Sequence, residues 1–69
     1  MSKEQYRKYF IKCKKYLKFT SILNNVGVSD ANFSHFLNNA DSIISLEKLH
    51  LIFMEVNKIL KELGEDNYD

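Results

Sequence analysis

The side chains best suited to chemistry cluster between positions 29 and 38, where Ser29, Asp30, Asn32, Ser34, His35 and Asn38 fall within ten residues. Amide, hydroxyl and imidazole groups donate and accept hydrogen bonds on short stems, which is what reading base edges in a DNA groove requires. The other reactive groups stand alone. Ser34 and His35 are neighbours in what reads as a helix, so they point in different directions and do not make a nucleophile and its base. Cys13 lies in an apolar stripe, where a cysteine acts as a small hydrophobe. His50 has no second ligand at metal-site spacing and His35 sits in a different predicted helix, so neither a metal nor another cofactor is expected. With no glycine-rich phosphate loop and little concave volume in so short a chain, the sequence does not read as an enzyme.

The elements that must position this cluster follow from the apolar spacing. Phe19, Ile22, Leu23 and Val26 recur at helical intervals, and Val28, Phe33, Phe36 and Leu37 do so again with Gly27 between the two sets. This predicts helix, tight turn, helix: Thr20 caps the first helix, Gly27 takes the left-handed conformation that ends it, and Ser29 caps the second, over about 30–38. The inner face of that second helix is Phe33, Phe36 and Leu37, which leaves Asp30, Ala31, Asn32, Ser34, His35 and Asn38 outward.

Two short helices cannot bury enough apolar surface alone, so the flanking segments must pack on them. Over 2–17, Tyr6, Tyr9, Phe10, Cys13, Tyr16 and Leu17 form one stripe of a helix with lysines opposite, and Ser2 is placed to cap it. A loop over 39–44 is expected from Asp41 and Ser42, with Ile43 and Ile44 anchoring it. Ser45 then caps the longest helix, over 46–63, whose core stripe is Leu46, Leu49, Phe53, Val56, Leu60 and Leu63, widened by Ile52 and Ile59. Leu51 and Met54 fall off that stripe beside Lys58 and Lys61, which marks a contact face for a second copy of the chain, with Leu51, Met54 and Lys58 in it.

The expected architecture is therefore all-α, a small four-helix orthogonal bundle with a central helix-turn-helix and a long C-terminal helix. Residues 1–64 read as one domain, ended by Gly64, and 65–69 as a short acidic tail. With 69 residues, 45% of them hydrophobic, the chain can build one small core of marginal stability. It has no proline and only two glycines, which favours helix throughout. A lone cysteine suits a reducing cytosol, and no apolar run reaches the roughly 18 residues of a membrane span. The reading is a soluble, cytoplasmic protein with no membrane partner.

The net charge of +1 conceals a division. Through Lys18 there are seven cations against Glu4, a balance of +6, whereas the remainder has three lysines against eight acids, a balance of −5. A basic end joined to an acidic end points to nucleic acid or a charged surface as partner.

The stretch 19–37, FTSILNNVGVSDANFSHFL, resembles the helix-turn-helix of phage Cro and repressor proteins, the Xre-type regulators. Ile22, Val26, Gly27, Val28, Ser29, Phe33 and Phe36 stand where that motif keeps its apolar positions, its turn glycine and the following cap. The run IISLEKLHLI resembles the start of that family's next core helix, so the likeness extends from Phe19 to about Leu60. Three positions depart from the pattern. Leu23 replaces a usual alanine, Phe19 and Thr20 stand where a glutamine often meets a phosphate, and Asp30 occupies the first base-reading position.

The resemblance implies a small sequence-specific regulator of phage or mobile-element type, working in a bacterial cell or phage-infected host. Its partner would be double-stranded DNA. Asp30, Ala31, Ser34 and His35 take the groove-facing slots, with Asn32, Ser34 and His35 the best base readers. Ser29, Asn32 and Asn38 fall near phosphates, joined by Thr20 and by lysines near the motif, chiefly Lys15 and Lys18. Such a protein acts as a homodimer on two half-sites about one helical turn apart. The competing expectation is a module that uses the same fold on a protein partner, as a phage-encoded inhibitor or adaptor, for which Asp30 and the acidic C-terminal half speak.

Overall fold

A computed structural model describes residues 1–38 and 44–62. Within them the chain forms four helices, α1 (Lys3–Cys13), α2 (Thr20–Val26), α3 (Asp30–Leu37) and α4 (Leu46–Glu62), and no strand. The all-α class expected from the sequence is the class observed. Positions 39–43 of the loop expected over 39–44, Leu63, the Gly64 helix stop and the tail over 65–69 lie outside the described residues, and Ile44, at the end of that loop, is buried in the core.

Helix α1 starts with a reciprocal cap. The Ser2 hydroxyl accepts from Gln5 N at 3.2 Å while Gln5 Oε1 accepts from Ser2 N at 2.8 Å, so two backbone donors without helical partners are satisfied. Tyr6, Phe10 and Cys13 bury its inner face. The helix stops at Cys13, four residues before the expected end. Tyr16 N and Leu17 N both turn back onto Cys13 O, at 2.9 and 3.0 Å, and Tyr16 is left 70% exposed instead of in the core.

Aromatic packing accounts for the early stop. The chain must bend before Phe19, which packs on Phe10 and Phe33 with ring centroids 5.9 and 5.0 Å away. Burying Phe19 also overrides capping. Phe19, not Thr20, is the cap residue of α2, its backbone already helical and with no side-chain cap bond, and Thr20 begins the helix. A cap is worth about 1 kcal/mol, less than the ~2–3 kcal/mol of a fully buried phenylalanine.

The turn after α2 forms as its residues dictate. Gly27 has φ 85°, and both Gly27 N and Val28 N donate to Leu23 O, at 2.8 and 3.0 Å. Leu23, bulkier than the alanine usual in the resembling family, is fully accommodated at 2% exposure. A further device secures the turn from outside: Lys48 of α4 donates from Nζ to Val26 O at 2.9 Å, satisfying one of the carbonyls that α2 leaves open. Lys48→Met should cost about 1 kcal/mol, the worth of one partly exposed hydrogen bond, read as a lower midpoint in urea with an unchanged slope.

Helix α4 closes the core with Leu49, Ile52, Val56 and Leu60. Its buried line is rotated from the expected one. Ile52 is fully buried, Phe53 and Ile59 lie at the flanks, and Leu46 is 49% exposed because it occupies the first turn, where the helix is only beginning to meet the bundle. The Ser45 hydroxyl caps α4 as expected, accepting from Lys48 N at 3.2 Å. Two cross-links tie α1 to α4: Tyr6 Oη shares a hydrogen bond of 3.2 Å with His50 Nδ1, and Tyr9 Oη donates to Asn57 Oδ1 at 3.0 Å. His50 thus takes a packing role, and its ring also stacks against Phe53.

Candidate nucleic-acid interface

Helix α3 is held by its apolar side and by its cap. Phe33 and Phe36 are buried against Phe10 of α1, with ring centroids 5.8 and 6.4 Å away, and Leu37 packs at the edge of the core. Ser29 is extended (ψ 153°), and its hydroxyl accepts from Asn32 N at 3.1 Å. This cap leaves Asp30 in the first turn, where a carboxylate is favoured by the helix dipole.

With Phe33 and Phe36 inward, the 100° step between residues turns the others outward. Asp30, Ala31, Ser34, His35 and Asn38 are all exposed, and so is Ser29. Asn32 departs from the expected outward position. It lies one step from Phe33 on the side toward α4, is half-buried, and helps line a shallow cavity of about 190 Å³ with Gly27, Val28, Ile44, Ser45 and Lys48. Its side chain therefore starts from the shoulder of the helix, and of the polar set it is the least open to a groove.

The basic candidates occupy the connection between α1 and α2. Lys15, Lys18 and Thr20 are exposed, and Phe19, between the last two, stacks on Phe33, so that connection is fixed to the base of α3 by a ring contact. This contact is the link that sequence spacing does not reveal. Lys48 also lies next to the turn, half-buried and engaged with Val26 O. The structure therefore ties the lysine-bearing connection, through Phe19, to the buried face of α3, while Ser34 and His35 stand on its exposed one.

Leu51, Met54 and Lys58 are exposed on α4, as their spacing predicts. Among the described residues, no three His, Cys, Asp or Glu side chains come together to hold a metal ion, and no helix is long and apolar enough to cross a membrane. Comparison with family models, with characterised proteins and with solved structures found no match for this chain.

Proposed function

We propose that this protein is a sequence-specific double-stranded DNA-binding regulator of the Xre type that lays α3 in the major groove. The observation that carries the reading is the exposed face of α3, Ala31, Ser34, His35 and Asn38, presented directly after a left-handed glycine turn. The helix reads through short hydrogen-bonding groups, with Ser34 and His35 toward the bases, Asn32 reaching from the shoulder and Asp30 and Ala31 at the leading end. Ser29, Asn38, Thr20, Lys15 and Lys18 meet phosphates, which supply most of the affinity and fix the register. Two copies acting on adjacent half-sites give the contact area that one small domain lacks.

The test is a gel-retardation titration with genomic and random duplexes at two salt concentrations. A two-copy complex neutralising about four phosphates, through Lys15 and Lys18 of each copy, should lose about two orders of magnitude in affinity between ~50 and ~200 mM salt. His35→Ala and Ser34→Ala, both on the exposed face, should each weaken specific binding by about tenfold or more and leave random-duplex binding unchanged. Lys18→Gln removes one phosphate contact from each copy, so it should weaken both equally and reduce the salt slope of the two-copy complex by about two. No retardation of any DNA at low salt sinks the reading.

A second reading has an observation of its own. Asp30 is exposed at the leading end of α3, where it repels phosphate, and no lysine or arginine lies on that helix. On this reading the polar face binds a protein surface, and the molecule is an inhibitor or adaptor. A stoichiometric protein partner in a pull-down, with no DNA enriched, decides for it.

A further inference from the structure

Helix α4 carries two stripes. Leu49, Ile52, Val56 and Leu60 face the core, and on the opposite side Glu47, Leu51, Met54, Lys58 and Lys61 recur at intervals of four and three. That alternation keeps a line of side chains on one face over the whole helix, as at a helix–helix seam. Leu51 and Met54 at its centre are 44% and 54% exposed, and a shallow groove of about 340 Å³ starts at Met54 and is lined further by Asn57, Lys58 and Lys61.

The order of charges along this stripe selects an occupant and its direction. An acid stands at the N-terminal end, two apolar residues at the middle, and two lysines at the C-terminal end. A second copy laid parallel would set Glu47 on Glu47 and Lys58 on Lys58, whereas an antiparallel copy sets unlike charges together at both ends. We propose that α4 pairs antiparallel with α4 of a second copy, Leu51 of each packing on Met54 of the other and Glu47 of each meeting Lys58 of the other. Lys61, one turn farther on, closes the groove over the same Glu47.

The pairing is isologous and therefore closes at two copies. Two 17-residue helices, each about 26 Å long, offer a smaller contact than the ~800 Å² per partner of a standard interface, so the pairing is expected to be weak and reversible, on the order of micromolar. The pairing deepens the regulator reading, which needs two copies, but it is measured without DNA. A monomer that still retards DNA therefore overturns the pairing alone.

The experiment is sedimentation equilibrium of the full chain over a range of concentrations, with circular dichroism to confirm that each variant is folded. The wild-type chain should pass from 8.2 kDa to twice that mass in the micromolar range. Leu51→Glu should raise the dissociation constant at least tenfold, and so should Glu47→Lys or Lys58→Glu alone, all at exposed positions. Glu47→Lys combined with Lys58→Glu should dimerise where either single variant is a monomer, because only antiparallel pairing turns that exchange into two restored ion pairs. Ile11→Glu, at an exposed apolar residue of α1, should leave the mass unchanged. A wild-type monomer through the millimolar range, a double variant no better than the singles, or a dimer broken by Ile11→Glu overturns the proposal.

Discussion

Phe10→Ala should leave the protein with little net stability at 25 °C, up to about half of it unfolded without denaturant. Phe10 is 0% exposed, and its ring lies 5.9 Å from Tyr6, Tyr9 and Phe19, 5.8 Å from Phe33 and 6.4 Å from Phe36. One side chain therefore joins α1 to the α1–α2 connection and to both buried rings of α3. Truncating a buried phenylalanine costs about 3–5 kcal/mol, and these neighbours come from separate segments that cannot all close on the void. A domain of this size has a total stability of only about 5 kcal/mol, so the loss is comparable to the whole. The measurement is the far-ultraviolet circular dichroism at 222 nm as a function of urea. Phe10→Leu keeps most of the volume and should retain a cooperative transition, displaced by about 1–2 kcal/mol. A Phe10→Ala variant that still melts within a few degrees of wild type would mean that this cluster is not the keystone its geometry makes it.

The same cluster separates what the sequence reveals from what it conceals. Gly27, the Ser29 cap and the Ser2 cap were legible because each is a local bargain between a side chain and backbone groups within a few residues of it, whereas the return bond from Gln5 emerged only in the structure. The four helices were legible because apolar spacing is also a local signal. The end of α1 was not. Tyr16 continues the apolar period, and only the distant requirement that Phe19 reach Phe10 and Phe33 bends the chain at Lys14.

The phase of α4 was concealed for another reason. In LHLIFM apolar residues point almost all round, so several stripes fit, and packing selects the one through Ile52. Of the candidate interface, the outward direction of Ser34 and His35 follows from their spacing against Phe33 and Phe36. The half-burial of Asn32 does not, since it depends on where α4 and Lys48 lie. The Tyr6–His50 and Tyr9–Asn57 hydrogen bonds join residues more than forty positions apart, and nothing local announces them.

Gly27→Val should destabilise the protein by about 2–3 kcal/mol, a fall of roughly 10–20 °C in Tm for a domain of this length. Gly27 has φ 85° and ψ 36°, a left-handed conformation that costs an ordinary residue about 1–2 kcal/mol and a β-branched one more. A second cost comes from space. A Cβ at position 27 would lie 3.3 Å from Lys48 Nζ, so the ammonium group that bonds Val26 O must give way. Two further variants separate these terms. Gly27→Asn, a residue that tolerates left-handed backbone, should cost about 1 kcal/mol or less. In a Lys48→Met background the hydrogen bond is already absent, so Gly27→Val should cost less than it does in wild type, with a coupling of about 0.5–1 kcal/mol in a double-mutant cycle. Because the turn sets the angle at which α3 leaves α2, the regulator proposed above should, as folded Gly27→Val, also bind DNA more weakly than wild type once corrected for unfolded protein. Equal loss in both Lys48 backgrounds would assign the whole cost to the backbone and none to the lysine latch.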